Sequence, residues 1–329
     1  MKWIYKRLIT AFLTVFTTSN IIFFLIRLLP GNIIDALINE YIRLGMSYTD
    51  AYRLLSANFG FQLNEPLHEQ YIDYMVNLFT GNLGYSMAYN KMPVISIIAQ
   101  SIPWTVFTVS IGTITAFFAG ILIGLLAAYK HGSFIDRFIT FFSTVSAAIP
   151  NYIIAYFLII IFVINFRKFP IAGAYDAATV SPGFNIPFIA SVLRHAFLPI
   201  LSYFIAASGS WILYMRGNTV SVLGEDYVMA AKARGLKSTR IVLMYVGRNA
   251  ILPLFTILAI NLGYILGGST LIESVFVYPG IGFFISQSVR LRDHSLMQGL
   301  FFILTVSITV SNLLADLLYS KLDPRVRFE

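Results

Sequence analysis

Few side chains in this sequence are placed for covalent chemistry. No cysteine occurs, which excludes disulfides, thiol catalysis and cysteine metal sites. His68, His131, His195 and His294 lie far apart and lack ligand spacing of the H-x-x-x-H kind, so no metal is expected. Ser208 or Ser210, beside Gly209, could act as a nucleophile only with a base held against it. The nearest histidine, His195, sits more than a dozen residues away at the far end of the same apolar run. No G-x-x-x-x-G-K-S/T run is present to cradle nucleotide phosphates. Catalytic groups, metals and cofactors are therefore expected to be absent, and any ATP chemistry must belong to another polypeptide.

The charge pattern that does stand out is mechanical. Between Arg216 and Arg248 the chain reads RGNTVSVLGEDYVMAAKARGLKSTRIVLMYVGR. Glu225 and Asp226 open a run of helix formers that includes Tyr227, Ala230 and Ala231, and Lys232 and Arg234 close it. Acids at the start and bases at the end complement the helix dipole. Gly235, followed by Leu236, stands where glycine commonly ends a helix. Ser238 or Thr239 is then expected to cap a second helix starting near Arg240. Small residues at Ala230 and Ala231 would let another surface approach the backbone. The residues alone fit either a plain amphipathic connector or an elbow on which a partner docks.

The elements that carry this elbow are apolar. Hydrophobic residues make up 57% of the 329 positions and charged residues 12%, with mean hydropathy +0.76. Soluble domains average roughly 25% charged residues, so the bilayer is the expected solvent. A spanning helix needs roughly 20 residues without charge. Six charge-free runs are long enough: Leu8–Ile26, Met92–Tyr129, Phe138–Phe166, His195–Met215, Asn249–Ile272 and His294–Ala315. Tyr74–Asn90 and Ala177–Leu193, with 17 residues each, are interrupted by Gly or Pro and by Asn, and read as interfacial or extramembrane. The first run follows Lys2, Lys6 and Arg7 but exceeds a signal-peptide core, and no small-residue cleavage site follows, so a retained anchor helix is expected. The expected fold is an all-α integral membrane protein with six transmembrane helices and an extracytoplasmic insertion between the first two. It divides into an anchor with outer segment (1–91), a five-helix core (92–320) holding the loop 216–248, and a tail (321–329).

Six spans place both termini on one side, and 14 of the 23 Lys and Arg fall there. By the positive-inside rule that side is cytoplasmic. Because the basic residues flank spans, the net charge of +8 gives no reason to expect nucleic-acid binding. A secondary transporter or channel is the alternative, but such proteins usually hold charged groups at mid-membrane, and these runs have none. Asn20, Asn261 and Asn312 are the polar groups at depth, where packing is the simpler role. Gly120 and Gly124 have the spacing of close helix contacts. Gly263, Gly267 and Gly268 either line a path or permit packing.

With its flanks, the loop resembles the EAA loop of binding-protein-dependent ABC importer permeases. Ala230, Ala231 and Gly235 match its Ala-Ala-x3-Gly core, and Ile251, Leu252 and Pro253 resemble its Leu-Pro ending. Met229 departs from it, standing at the family's Glu position. The longer spacing from Gly235 to Pro253 is similar to the dipeptide/oligopeptide class. Other stretches resemble that class in the same order along the chain. They are Pro30-Gly31, Asn64-Glu65-Pro66-Leu67, Gly81 to Ser86, Tyr278-Pro279-Gly280-Ile281-Gly282, Arg292-Asp293, and the closing Asn312, Asp316 and Leu322 to Arg325. The resemblance is to the first of the two permease subunits. It implies a cell-membrane protein paired with a second permease subunit, two ATP-binding subunits and an extracytoplasmic solute-binding protein. The segment Glu225 to Leu236 would be the coupling helix. Asn261, Gly263 and Gly267 would lie along the translocation path, and the cargo would be a peptide or an oligosaccharide.

Overall fold

The computed structural model describes residues 2–29, 33–59, 66–267 and 270–322, with α15 side chains described as far as Leu314. Pro30, Gly31, Asn64, Glu65, Gly268 and the tail from 323 lie outside these residues, as does the side chain of Asp316. Helices dominate. In chain order they are α1 (Lys2–Leu28), α2 (Ile33–Arg43), α3 (Tyr48–Phe59), α4 (Leu67–Phe79), α5 (Val94–Tyr129), α6 (Phe134–Ala148), α7 (Asn151–Leu158, continued by a π-helical stretch, Ile159–Asn165) and α8 (Ile186–Val222). Then follow α9 (Asp226–Ala233), α10 (Ser238–Arg240), a π-helical stretch Ile241–Gly247, α11 (Arg248–Ala250), α12 (Leu252–Gly263), α13 (Thr270–Val275), α14 (Ile281–Leu291) and α15 (His294–Leu322). A short antiparallel hairpin, β1 (Tyr85–Ser86) and β2 (Met92–Pro93), pairs Tyr85 with Pro93 and leads into α5.

Among the described residues, four helices are long and apolar enough to cross a bilayer unaided: Tyr5–Leu28, Val94–Tyr129, Ile186–Val222 and His294–Leu314. The expected third and fifth spans are not single straight helices. Phe134–Ala148 meets Asn151–Asn165 at 99°, and Ser238–Ala250 meets Leu252–Gly263 at 43°. Pro150 explains the first break. It has no N–H to donate, and it pushes Ile149 to extended geometry (ψ 125°). Pro253 stands in the first turn after the second break. The fifth apolar run does not continue as helix to Ile272, because α12 stops at Gly263 and α13 begins separately at Thr270. The fourth extends past its charge-free run at both ends, taking Arg194 and Arg216 into α8 and half of the stretch expected to be interfacial.

Small residues set the packing of α5, α8 and α6. A methyl group at Gly112 would collide with Tyr203, one at Gly120 with Trp211, and one at Gly124 would stand 2.6 Å from the Ile212 carbonyl. Gly209 gives α6 the same access to α8, facing the backbone of Ser143. Ser208 donates to the Ile205 carbonyl of its own helix (3.0 Å), and Ser146 of α6 donates to that same oxygen (2.7 Å). These groups are helix-contact groups, the role small and hydroxyl residues play where helices approach closely in membranes. Helix α1 packs on α15 through Ile22, Ile26 and Met297.

Candidate functional site

The elbow predicted at 225–235 is present. Helix α9 runs from Asp226 to Ala233, and Gly235 follows in the left-handed region (φ +73°). The Gly235 N–H donates to Lys232 O (2.9 Å) and the Leu236 N–H to Ala231 O (3.3 Å), the paired bonds of a Schellman turn. Leu236 also supplies the apolar contact that accompanies such a turn, packing with Val228, Ala231, Ile241 and Val246. A side chain at Gly235 would meet open space, so its requirement is for backbone geometry alone.

Two expectations about the elbow need correction. The next helix starts at Ser238 with Lys237 at the cap position, and neither Ser238 nor Thr239 provides a side-chain cap. Ala231 does not face outward but is 3% exposed within the elbow's own small core, because Val228 and Ala231 share the inner face. Ala230 stays exposed beside Asp226, Met229 and Lys232. Tyr227 accepts a hydrogen bond from Asn249 Nδ2 (2.9 Å), which ties α9 to α11.

At the same end of the molecule lies a charged cluster that sequence reasoning missed. Asp136, in the first turn of α6, is 3% exposed at its side chain and receives both Arg216 Nε (2.5 Å) and Nη2 (2.9 Å). His131 Nδ1 stands 3.2 Å from the same carboxylate. The bidentate pair clamps the α5–α6 turn to α8 nine residues before the elbow begins at Glu225. Its signal in the sequence was an acid and a base at the ends of neighbouring apolar runs.

The opposite end is held by two other buried carboxylates. Glu273 of α13 has no exposed surface. It accepts from Thr105 Oγ1 of α5 (2.7 Å) and from the backbone N–H groups of Gly282 (2.8 Å) and Phe283 (3.3 Å), the first turn of α14. The Thr105 hydroxyl in turn accepts from Ile281 N (2.8 Å). A carboxylate there satisfies otherwise orphaned donors and complements the helix dipole. Gly280 is the one residue type that fits, since a methyl group would collide with the Glu273 carboxylate. Beside it, burial first and the Glu273 carboxylate second push the Tyr278 phenol above its ordinary value.

Asp293, also fully buried, accepts from Ser86 Oγ (2.6 Å) and Ala88 N (3.0 Å) of the hairpin. It also takes Leu296 N (3.1 Å), so it caps α15 while pinning a segment more than 200 residues earlier. The motif pieces Gly81 to Ser86, Tyr278 to Gly282 and Arg292-Asp293 thus meet at one end of the molecule through Glu273 and Asp293. Glu273 was not singled out from sequence, although it is the acid that terminates the fifth charge-free run.

Of the expected path residues, Asn261 and Gly267 are exposed. Gly263 is in close contact with α15, where Ser311 Oγ donates to its carbonyl (2.5 Å). Asn20 and Asn312 accept from Tyr71 (2.6 Å) and Tyr264 (2.6 Å), so both serve side-chain packing.

Residues 120–328 match the family described as binding-protein-dependent transport system inner membrane component. The chain is 32% identical over 331 residues to the oligopeptide transport system permease protein of Haemophilus influenzae, covering 100% of both chains. It is 33% identical over 266 residues to the oligopeptide transport system permease protein of Bacillus subtilis, covering 81% of this chain and 82% of that one. To the glutathione transport system permease protein of Shigella flexneri it is 27% identical over 329 residues, covering 100% of both.

Proposed function

Since the chain belongs to the family of binding-protein-dependent transport system inner membrane components, we propose that its exposed elbow at 225–236 receives force from a separate ATPase. The protein is a multi-pass inner-membrane permease subunit of an ATP-driven importer, and the ATPase of such importers is a separate subunit. Peptides are the proposed cargo, in line with relatives named for oligopeptide and glutathione transport. The proposed assembly pairs this chain with a second permease subunit above two ATP-binding subunits. A solute-binding protein delivers cargo at the end where Glu273 and Asp293 lie. Each bent helix pair counts as one span, giving six, with both termini and the elbow in the cytoplasm. The excess of Lys and Arg on that side supports this orientation.

One observation carries the reading: α9 is exposed on one face yet locked on the other to its own α10–α11 segment through Val228, Ala231 and Tyr227. A push on Asp226, Met229 or Ala230 is therefore delivered to the start of α12. Along α12 and its following turn, Asn261, Gly263 and Gly267 are the proposed path residues. ATP and loaded binding protein then favour the same outward-open state, a linkage between two sites through one conformational equilibrium.

The test is Gly235→Val. A β-branched residue is strongly disfavoured at positive φ, so the turn must re-form while the apolar spans are untouched. The variant is expected to insert normally and to hydrolyse ATP in the assembled complex without matching uptake of labelled peptide. Normal uptake would remove the elbow from the coupling path.

A further inference from the structure

None of the residues of helix α4 is buried. It touches the rest of the protein through tyrosine side chains. Tyr71 donates to Asn20 Oδ1 (2.6 Å) and Tyr74 to the Ser19 carbonyl (3.3 Å), both on α1. Their rings lie 5.2 Å from that of Phe23. At its start, Gln70 accepts from Arg27 Nε (2.9 Å) near the end of α1. Past its other end, Gly84 lies against Ser295, and Leu83 against Gly299, at the beginning of α15. Met297 of α15 packs on Ile22 and Ile26, so both sets of contacts lie at the same end of the molecule. The helix, about 20 Å long at 1.5 Å per residue, therefore bridges the end of α1 and the start of α15.

Its side chains sort into three faces. Tyr71 and Tyr74 face α1. Glu69, Asp73 and Asn77 recur at four-residue spacing on a polar face. Ile72, Val76 and Phe79 recur at i, i+4 and i+7 on the third, and are 56%, 56% and 66% exposed. Ile21, Phe24 and Leu25 of α1 are exposed as well, and Phe24 stacks on Tyr71 at 6.0 Å, so an apolar surface of α1 borders α4. A helix with one charged face and one apolar face, held level with the end of a membrane span, has the form of an interfacial helix.

We propose that α4 lies in the membrane interface, with Ile72, Val76 and Phe79 among lipid acyl chains and Glu69, Asp73 and Asn77 in water. The occupant of the stripe is lipid, because the apolar surface of α1 that borders α4 belongs to a helix long and apolar enough to span the membrane. The tyrosine struts hang the helix at the depth where amphipathic aromatic rings are favoured. The orientation under Proposed function decides only which leaflet this is, the outer one. In that position α4 holds the following hairpin at a fixed height above the bilayer.

Absence of native cysteine allows a direct test. Val76→Cys and Asp73→Cys, each carrying a nitroxide, are placed in the full importer, with partner cysteines replaced, in phosphatidylcholine/phosphatidylglycerol vesicles. Collision with oxygen, which partitions into lipid, is compared with collision with a water-soluble nickel chelate. The expected result is an oxygen-to-nickel ratio at 76 at least fivefold that at 73, unchanged when solute-binding protein is added. Equal ratios would overturn the proposal by placing the stripe in water. Shielding of position 76 from both reagents, with or without the binding protein, would overturn it by assigning the stripe to a protein neighbour. Neither outcome bears on whether the elbow couples to ATP.

Discussion

The elbow around Gly235 and the junction around Glu273 both turn the chain between two helices, yet they are built in opposite ways. At the elbow the turn is closed by backbone hydrogen bonds within six residues, Ala231 to Leu236, and its core is four buried apolar residues drawn from 228–246. At the junction, Glu273 has no exposed surface and gathers donors from α5 and α14, while Asp293 ties the hairpin to α15. The elbow's own ties are short-range and largely apolar, so in the proposed transporter it would move together with the segment it packs on. The junction cannot move without stranding buried polar groups. In the proposed transporter the soft end meets the motor and the stiff end meets the cargo-delivering protein, so rocking of the spans would pivot nearer the junction.

The comparison breaks most readily at Glu273. In Glu273→Leu the Thr105 hydroxyl and the Gly282 N–H lose a charged acceptor inside the protein, and each buried donor left unmatched costs about 1–3 kcal/mol. A loss of several kcal/mol is expected, seen as a large fall in unfolding temperature of the detergent-solubilised protein. Glu273→Gln, which keeps an acceptor oxygen, should lie between the two. A melting temperature for Glu273→Leu within a degree of the parent would show that the junction is not stiff.

Those two regions also differ in how far the sequence disclosed them. Everything that makes the elbow is local: Glu225 and Asp226 before the helix, Lys232 and Arg234 at its end, and a glycine that the structure finds at φ +73°. The junction depends on partners separated by 168 residues (Thr105 and Glu273) and 207 residues (Ser86 and Asp293), and no periodicity reports such pairings. A weak signal existed, since Glu273 and Asp293 each abut a charge-free run and a lone acid at a span end needs a partner. Apolar runs gave the long helices α1, α5, α8 and α15 but not the bends. Proline alone does not predict a bend either: α5 and α8 continue through Pro103 and Pro199, whereas the chain turns by 99° at Pro150.

A smaller effect is expected at Gly280, where the same junction is strained rather than emptied. The methyl group of Gly280→Ala meets the Glu273 carboxylate, and relief requires that carboxylate to shift from Gly282 and Thr105. Overpacking of this kind typically costs about 1–3 kcal/mol. Gly235→Ala is the matched substitution at the elbow. It meets open space and costs only the backbone preference, about 1–2 kcal/mol. The ordering of the two unfolding temperatures, with Gly280→Ala lower, separates steric from conformational need. The reverse order would mean that the carboxylate relaxes freely.

Tyr227→Phe should have the smallest effect on stability of these substitutions while still acting on function. It deletes the acceptor for Asn249 Nδ2, which retains the Tyr245 carbonyl at 2.8 Å as a second acceptor, and Tyr227 is 41% exposed. A loss of about 0.5 kcal/mol follows from one neutral, partly hydrated bond, too little to move the unfolding temperature by more than a degree or two. If the elbow transmits force as a unit, however, this bond is part of what ties α9 to the segment that leads into α12. The variant should therefore show a measurable fall in peptide transported per ATP hydrolysed, with insertion and ATP hydrolysis preserved. An unchanged ratio would place the coupling in the apolar contacts of Val228 and Ala231 instead, where Val228→Ala should then lower it.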